Sequence, residues 1–133
     1  VNDLVEFLRA RLDEDEALAR EAPPGPWHIG NAVDPTQPCH VHTFPGARVV
    51  ADGLNWLVAE HIAHQHPARV LSEVMAKRKI LESVVPSVAD MAESIAFEYG
   101  ARHSPPGRVA VELLCLLALP YASHPDYREE WKP

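Results

Sequence analysis

Two groups of residues in this sequence have the chemistry to bind or react. The first is Cys39-His40-Val41-His42. The second is Glu60-His61, His64 and His66, just before Pro67. His61 and His64 are three residues apart and Glu60 and His64 four apart, spacings that bring side chains together on one face of a helix. Imidazole, thiolate and carboxylate are the donors zinc takes, in shells of three or four. The chemical expectation is therefore a transition-metal site of Glu60, His61 and His64, completed by Cys39 and His42. The spacing is neither HExxH nor paired CxxC, and only two cysteines are present, which excludes a closed thiolate-rich shell. Eight histidines in 133 residues also make chance pairs common. The competing reading makes His61 a packing residue and His40, His42, His64 and His66 surface side chains. It needs no cofactor, and zinc or another transition metal is the exception to it.

A nucleophilic site is less well supported. Cys39 beside His40 or His42 has the right types, since an imidazole can hold a thiolate. On a strand, however, both histidines point away from the face that carries Cys39. Cys115, inside a leucine-rich run, reads as a small core hydrophobe. No serine elbow, glycine-rich phosphate loop or carboxylate pair appears, so an enzyme is not the expectation.

Charge narrows the partners. The formal net charge is −7, whereas nucleic-acid affinity rests mainly on phosphate neutralisation by Lys and Arg. A short basic strip does occur: Arg69 and Lys77-Arg78-Lys79, with Arg102 and Arg108 as contributors. Residues 77–79 spread around a helix rather than sharing a face, and Glu73–Lys77 and Arg78–Glu82 are spaced to pair at i,i+4. A DNA-binding module is thus an alternative and not the main reading.

The elements that must position these residues follow from period and punctuation. Leu4, Val5, Leu8, Leu12 and Ala19 share one side of a helix over 3–21, with Asp3 and Glu6 spaced as a capping box, and Pro23-Pro24-Gly25-Pro26 stops it. Residues 27–50 hold short β-prone pieces separated by Asp34-Pro35, Pro38 and Pro45-Gly46, which predicts a ribbon of two or three antiparallel strands. Such a ribbon is marginal alone and needs a helix on one face, with Trp27 as the plug.

Helices over 54–65 and 67–84 meet at His66-Pro67, since proline suits a first helical turn. Pro86 ends the second. A helix over 88–100 is capped by Ser87 and Gly100, with Val88, Met91, Ile95 and Tyr99 on its inner side. His103–Gly107 reads as a linker. The segment 108–119 is apolar except for Arg108 and Glu112; a helix apolar all round is the buried centre of a bundle, or shows its second face to a partner. The tail at 120–133 carries Tyr121, Tyr127 and Trp131, aromatics enough to dock it.

A chain of 133 residues, 47% of them apolar, supports one domain with a real core. The longest uncharged apolar run, 113–120, falls short of the roughly 20 residues a spanning helix needs. No signal peptide is visible, and a cytoplasmic protein without membrane attachment is expected.

Four blocks together carry a resemblance. VNDLVEFLRARLDEDE at the start, PGPWH at 24–28, HIAHQHPARVLSEVMAKRKIL at 61–81 and LLALPYASHPDYREEWKP at 116–133 resemble a family of small uncharacterised proteins common in Streptomyces and other actinobacteria, filed as a domain of unknown function. The family implies no activity, cofactor or catalytic residue. Where typical members read HDPARVL this chain has Gln65-His66-Pro67-Ala68-Arg69-Val70-Leu71, so no role of a His-Asp pair carries over. The Pro-Gly-Pro-Trp start and the strand and helix after it are also loosely similar to small accessory proteins of phages and integrated elements.

The sequence therefore predicts a single α+β domain, mostly helical with a small antiparallel ribbon. Its predicted role is that of a non-enzymatic accessory or regulatory protein acting through protein–protein contacts. Trp27, Tyr121, Tyr127 and Trp131 are the candidate interaction residues, and a homodimer is the simplest assembly.

Overall fold

The computed structural model describes residues 1–30, 34, 36–99 and 105–133. Helices dominate: α1 is Asn2–Glu21, α2 Trp56–His64, α3 Pro67–Lys79, α4 Val85–Tyr99 and α5 Pro105–Ala118. Three strands, β1 (Trp27–Gly30), β2 (Cys39–Thr43) and β3 (Val49–Leu54), form one antiparallel sheet in the order β1-β2-β3. The chain is thus a mostly helical α+β domain with a small ribbon. Its contacts divide into two compact units, Glu14–Val74 and Val1–Asp13 with Met75–Pro133.

The ribbon unit is built on period two. Cys39, Val41 and Thr43 are buried along β2, and His40 and His42 between them are only half-buried. Val41 is 0% exposed and sits with Cys39 and Ala59 of α2 in one cluster. Trp27, Ile29, Val50, Leu54, Ile62 and Ala63 pack around these three. Trp27 is the plug its sequence position predicted, and its indole N–H donates to the Pro23 carbonyl at 2.8 Å.

The β2–β3 connection turns through 44–48, where Gly46 takes φ +108° and Ala47 φ 50°. The Arg48 N–H donates to the Thr43 hydroxyl at 3.1 Å, and the Thr43 N–H donates to the Arg48 carbonyl at 2.8 Å. Glycine at 46 is therefore a conformational requirement. Helix α2 starts after β3, at Trp56, because Asn55 is an N-cap whose side-chain oxygen accepts the Val58 N–H at 3.0 Å. The break at His66-Pro67 is real: α2 and α3 are separate helices, and the His66 carbonyl accepts the Arg69 N–H at 3.1 Å.

Pro86 does not end a helix as the sequence suggested. A π-helical turn, Ile80–Val84, joins α3 to α4, and the Val85 N–H bonds back to the Ile80 carbonyl. Proline lacks an N–H, and in an α-helix its ring strikes the carbonyl four residues back; one wider turn just before it relieves both. Ser87 is consequently interior to the helix, and its hydroxyl donates to the Ser83 carbonyl at 2.7 Å. The Gly100 cap, the Tyr99 side chain, Arg102, His103 and Ser104 lie outside the described residues. Pro105–Gly107, read from the sequence as linker, instead form the first turn of α5, where proline is well tolerated.

In the second unit, Leu4, Phe7, Leu8, Arg11 and Leu12 of α1 are buried, the i, i+3, i+4, i+7, i+8 stripe of a helix facing a core. Asp3 lies inside the first turn and not before it, and its carboxylate meets Arg128 Nη1 at 2.8 Å. Helices α4 and α5 pack on each other, with Val85 and Ala92 buried on one and Ala110, Leu114, Cys115 and Ala118 on the other. Helix α5 is not buried all round: Val109, Val111, Leu116 and, just beyond it, Leu119 are exposed. Met91, placed inside by the sequence reading, is 58% exposed. No described helix is long and apolar enough to cross a membrane.

Leu114 has no exposed surface. Leu114→Ala should lower unfolding free energy by about 2–5 kcal/mol in a chemical denaturation curve, whereas Leu116→Ala should change it by less than about 1 kcal/mol.

Candidate functional site

The five residues of the sequence-predicted metal site do not come together. Cys39 is turned into the ribbon core, and its thiol donates to the Leu54 carbonyl at 3.2 Å. His42 stands on the opposite face of β2, as strand alternation requires. His61 is exposed on α2. Glu60 and His64 do converge, one turn apart, on a cleft of about 400 Å³ that Trp27, His28, Trp56 and His66 also line. Among the described residues no group of three or more His, Cys, Asp or Glu side chains is placed to hold a metal ion.

The outer face of the ribbon holds what the sequence reading passed over. His28 of β1 lies directly across from His42 of β2, and Gly30 across from His40. The ring centroids of His40 and His42 are 5.2 Å apart, those of His28 and His42 6.3 Å, and His28 and Phe44 5.0 Å. A Cβ at position 30 would collide with the His40 ring, so the absence of a side chain on Gly30 makes room for that imidazole. His42 Nδ1 is buried and has no hydrogen-bond partner. Period-two spacing gave the shared face of His40 and His42. The His28–His42 register was not legible, because no local signal fixes how β1 and β2 pair.

The candidate interaction residues also find their places. Trp27 belongs to the ribbon core. Tyr121, Tyr127 and Trp131 surround Phe7 at centroid distances of 6.4, 6.1 and 5.0 Å, with the His124 ring at 5.7 Å. Tyr121, Tyr127 and His124 meet Phe7 edge-to-face and Trp131 meets it tilted; aromatic pairs in such geometries contribute roughly 0.5–1.5 kcal/mol each beyond the area they bury. The tail is docked on α1, and its aromatics spend their faces there.

Buried Arg11 closes the same cluster. Its guanidinium lies 5.2 Å from the Phe7 centroid, and Nη1 is 2.8 Å from His124 Nδ1 and 2.5 Å from Nε2. A guanidinium has no lone pair, so it bonds to imidazole only through a bare ring nitrogen. At the chain end the Glu129 carboxylate, 2.8 Å from Lys132 Nζ, raises that ammonium's pKa above its ordinary value, first by the hydrogen bond and then by charge. Phe7 is the hub that the sequence reading missed; it stands at i+3 from Leu4, a spacing that was there to be used.

The basic strip is largely engaged. Arg69 meets Glu73 at 3.1 Å, Arg78 meets Asp13 at 2.5 Å, and Lys77 Nζ lies 5.7 Å from the Tyr121 centroid.

A family model, described as a family of unknown function (DUF6221), matches residues 1–133. The chain belongs to DUF6221. The likeness to a domain-of-unknown-function family seen in the sequence is therefore membership over the full length. No curated protein matches this DUF6221 chain, and no solved structure does.

Both cysteines of the DUF6221 chain are free and buried. Neither thiol should react with Ellman's reagent in the native protein, and both should react in denaturant. Rapid modification of Cys39 under native conditions would contradict its place in the ribbon core.

Proposed function

We propose that this protein is a non-enzymatic accessory or regulatory protein that works by protein–protein contact, and that its simplest partner is a second copy of itself. The observation that carries the reading is the uncovered apolar side of the second unit. Val109 and Leu116 of α5 are 46% and 48% exposed, and Leu113 between them is half-buried, which makes an i, i+4, i+7 stripe. Val84 at the end of the π-helical turn and Val88, Met91 and Ile95 of α4 repeat that spacing, with Val84 and Met91 exposed and Val88 and Ile95 half-buried. Single exposed apolar residues are ordinary, but aligned ones mark interaction surfaces. The charged side chains described on α5 are Arg108 and Glu112, beside the stripe and not within it.

A two-fold axis lets one stripe meet its own copy, the commonest closed assembly of soluble chains. Cytoplasmic action belongs to the same proposal, as do an actinobacterial lineage and a mobile-element origin. The lineage and origin are supported by the sequence blocks at 1–16, 24–28, 61–81 and 116–133.

Native mass spectrometry and sedimentation of the untagged chain over a dilution series test the reading. Wild type should show a species at twice the 14.7 kDa chain mass. The Val109→Asp/Leu116→Asp variant should weaken self-association by at least about tenfold and keep the wild-type circular dichroism spectrum, because both side chains stand outside the core. A wild-type protein that stays monomeric at its highest soluble concentration would overturn the self-association.

A further inference from the structure

We propose that the outer face of the ribbon is a chelating site for a divalent transition-metal ion, with His40 and His42 as its two protein ligands and His28 as the neighbour that can join them. The site belongs to the ribbon unit and is independent of the apolar stripe. Four observations converge on it. First, β2 alternation sends His40 and His42 to one face while Cys39, Val41 and Thr43 fill the core, so both imidazoles leave the strand on the same side. Second, their centroids are 5.2 Å apart. Two imidazoles on one tetrahedral ion, with metal–nitrogen bonds of about 2.0–2.1 Å, have centroids roughly 5 Å apart. Third, His42 Nδ1 is buried without a partner. An orphaned ring nitrogen is costly to leave unpaired, and a metal ion satisfies a bare lone pair. Fourth, Gly30 across from His40 offers no Cβ, and the His40 ring occupies that space.

His28, directly across from His42 with centroids 6.3 Å apart, is about an ångström wider than a tetrahedral pair requires. It is therefore a neighbour of the pair and not a third ligand at its present separation. Nitrogen donors of this kind select copper, nickel and zinc over calcium and magnesium. With two imidazoles fixed, the remaining positions are open to water or to a donor from another molecule.

The test is titration of untagged full-length protein with zinc chloride and with nickel chloride, read by calorimetry and by the histidine ring resonances in NMR. The expected result is one ion per chain at micromolar affinity, with the His40, His42 and His28 ring signals moving and those of His61, His64 and His124 still. His40→Ala and His42→Ala should each weaken binding by at least about tenfold, and His28→Ala by less. Gly30→Ala should also weaken it, by displacing the His40 ring. Circular dichroism separates lost binding from lost folding, and the wild-type ring signals decide the matter if a variant fails to fold. Millimolar affinity alone, an adventitious ion only, would overturn the proposal. So would ring shifts confined to His61 and His64.

Discussion

The contact of Val41 with the cluster around Ala59 governs the ribbon. A strand has only two faces, so committing Cys39, Val41 and Thr43 to the core commits His40 and His42 to the other side. A slip of one residue in β2 would bury two imidazoles and expose a valine and a thiol. Helix α2 then has a defined place, because Ala59 leaves room for β2 to approach it and Asn55 starts the helix at the end of β3. The histidine face and the Glu60–His64 cleft are both consequences of this one choice.

The second unit rests on a different device. Its α1 segment buries one stripe, and Phe7 at the centre of that stripe gathers the aromatic tail. The Asp3–Arg128 and Asp13–Arg78 ion pairs lie at exposed positions and contribute little beside that packing. Ala110, Leu114 and Ala118 give α5 a narrow inner face of mostly small side chains, which suits close approach to α4. A narrow inner face leaves the bulkier Val109 and Leu116 outside. Helix α5 is therefore apolar on both sides, one packed on α4 and the other exposed.

Much of this was legible in the sequence. Helical period in 3–21, alternation in 39–43, the Pro45-Gly46 hairpin and the break at Pro67 are local signals, and each names an element found in the structure. Docking of the tail was also readable, because three aromatics in so short a segment rarely stay in water. What failed was long-range or compensated. Pro86 is a strong stop signal, and nothing local announces that a π-helical turn absorbs it. Met91 and Leu116 look like core by period, but period cannot tell which of two apolar sides another element covers. The metal site drawn from Glu60, His61, His64, Cys39 and His42 joined side chains by type. The cross-strand register and the two faces of β2 sort them differently.

The account stands most directly on whether the outer side of α4 and α5 is covered in solution. Hydroxyl-radical footprinting of the wild-type chain at low and high protein concentration reads this at single residues, since an exposed Met91 oxidises readily. Protection of Met91, Val109 and Leu116 that grows with concentration, while Leu18 and Leu57 stay equally labelled, is the predicted result. Equal labelling of all five at every concentration would contradict it.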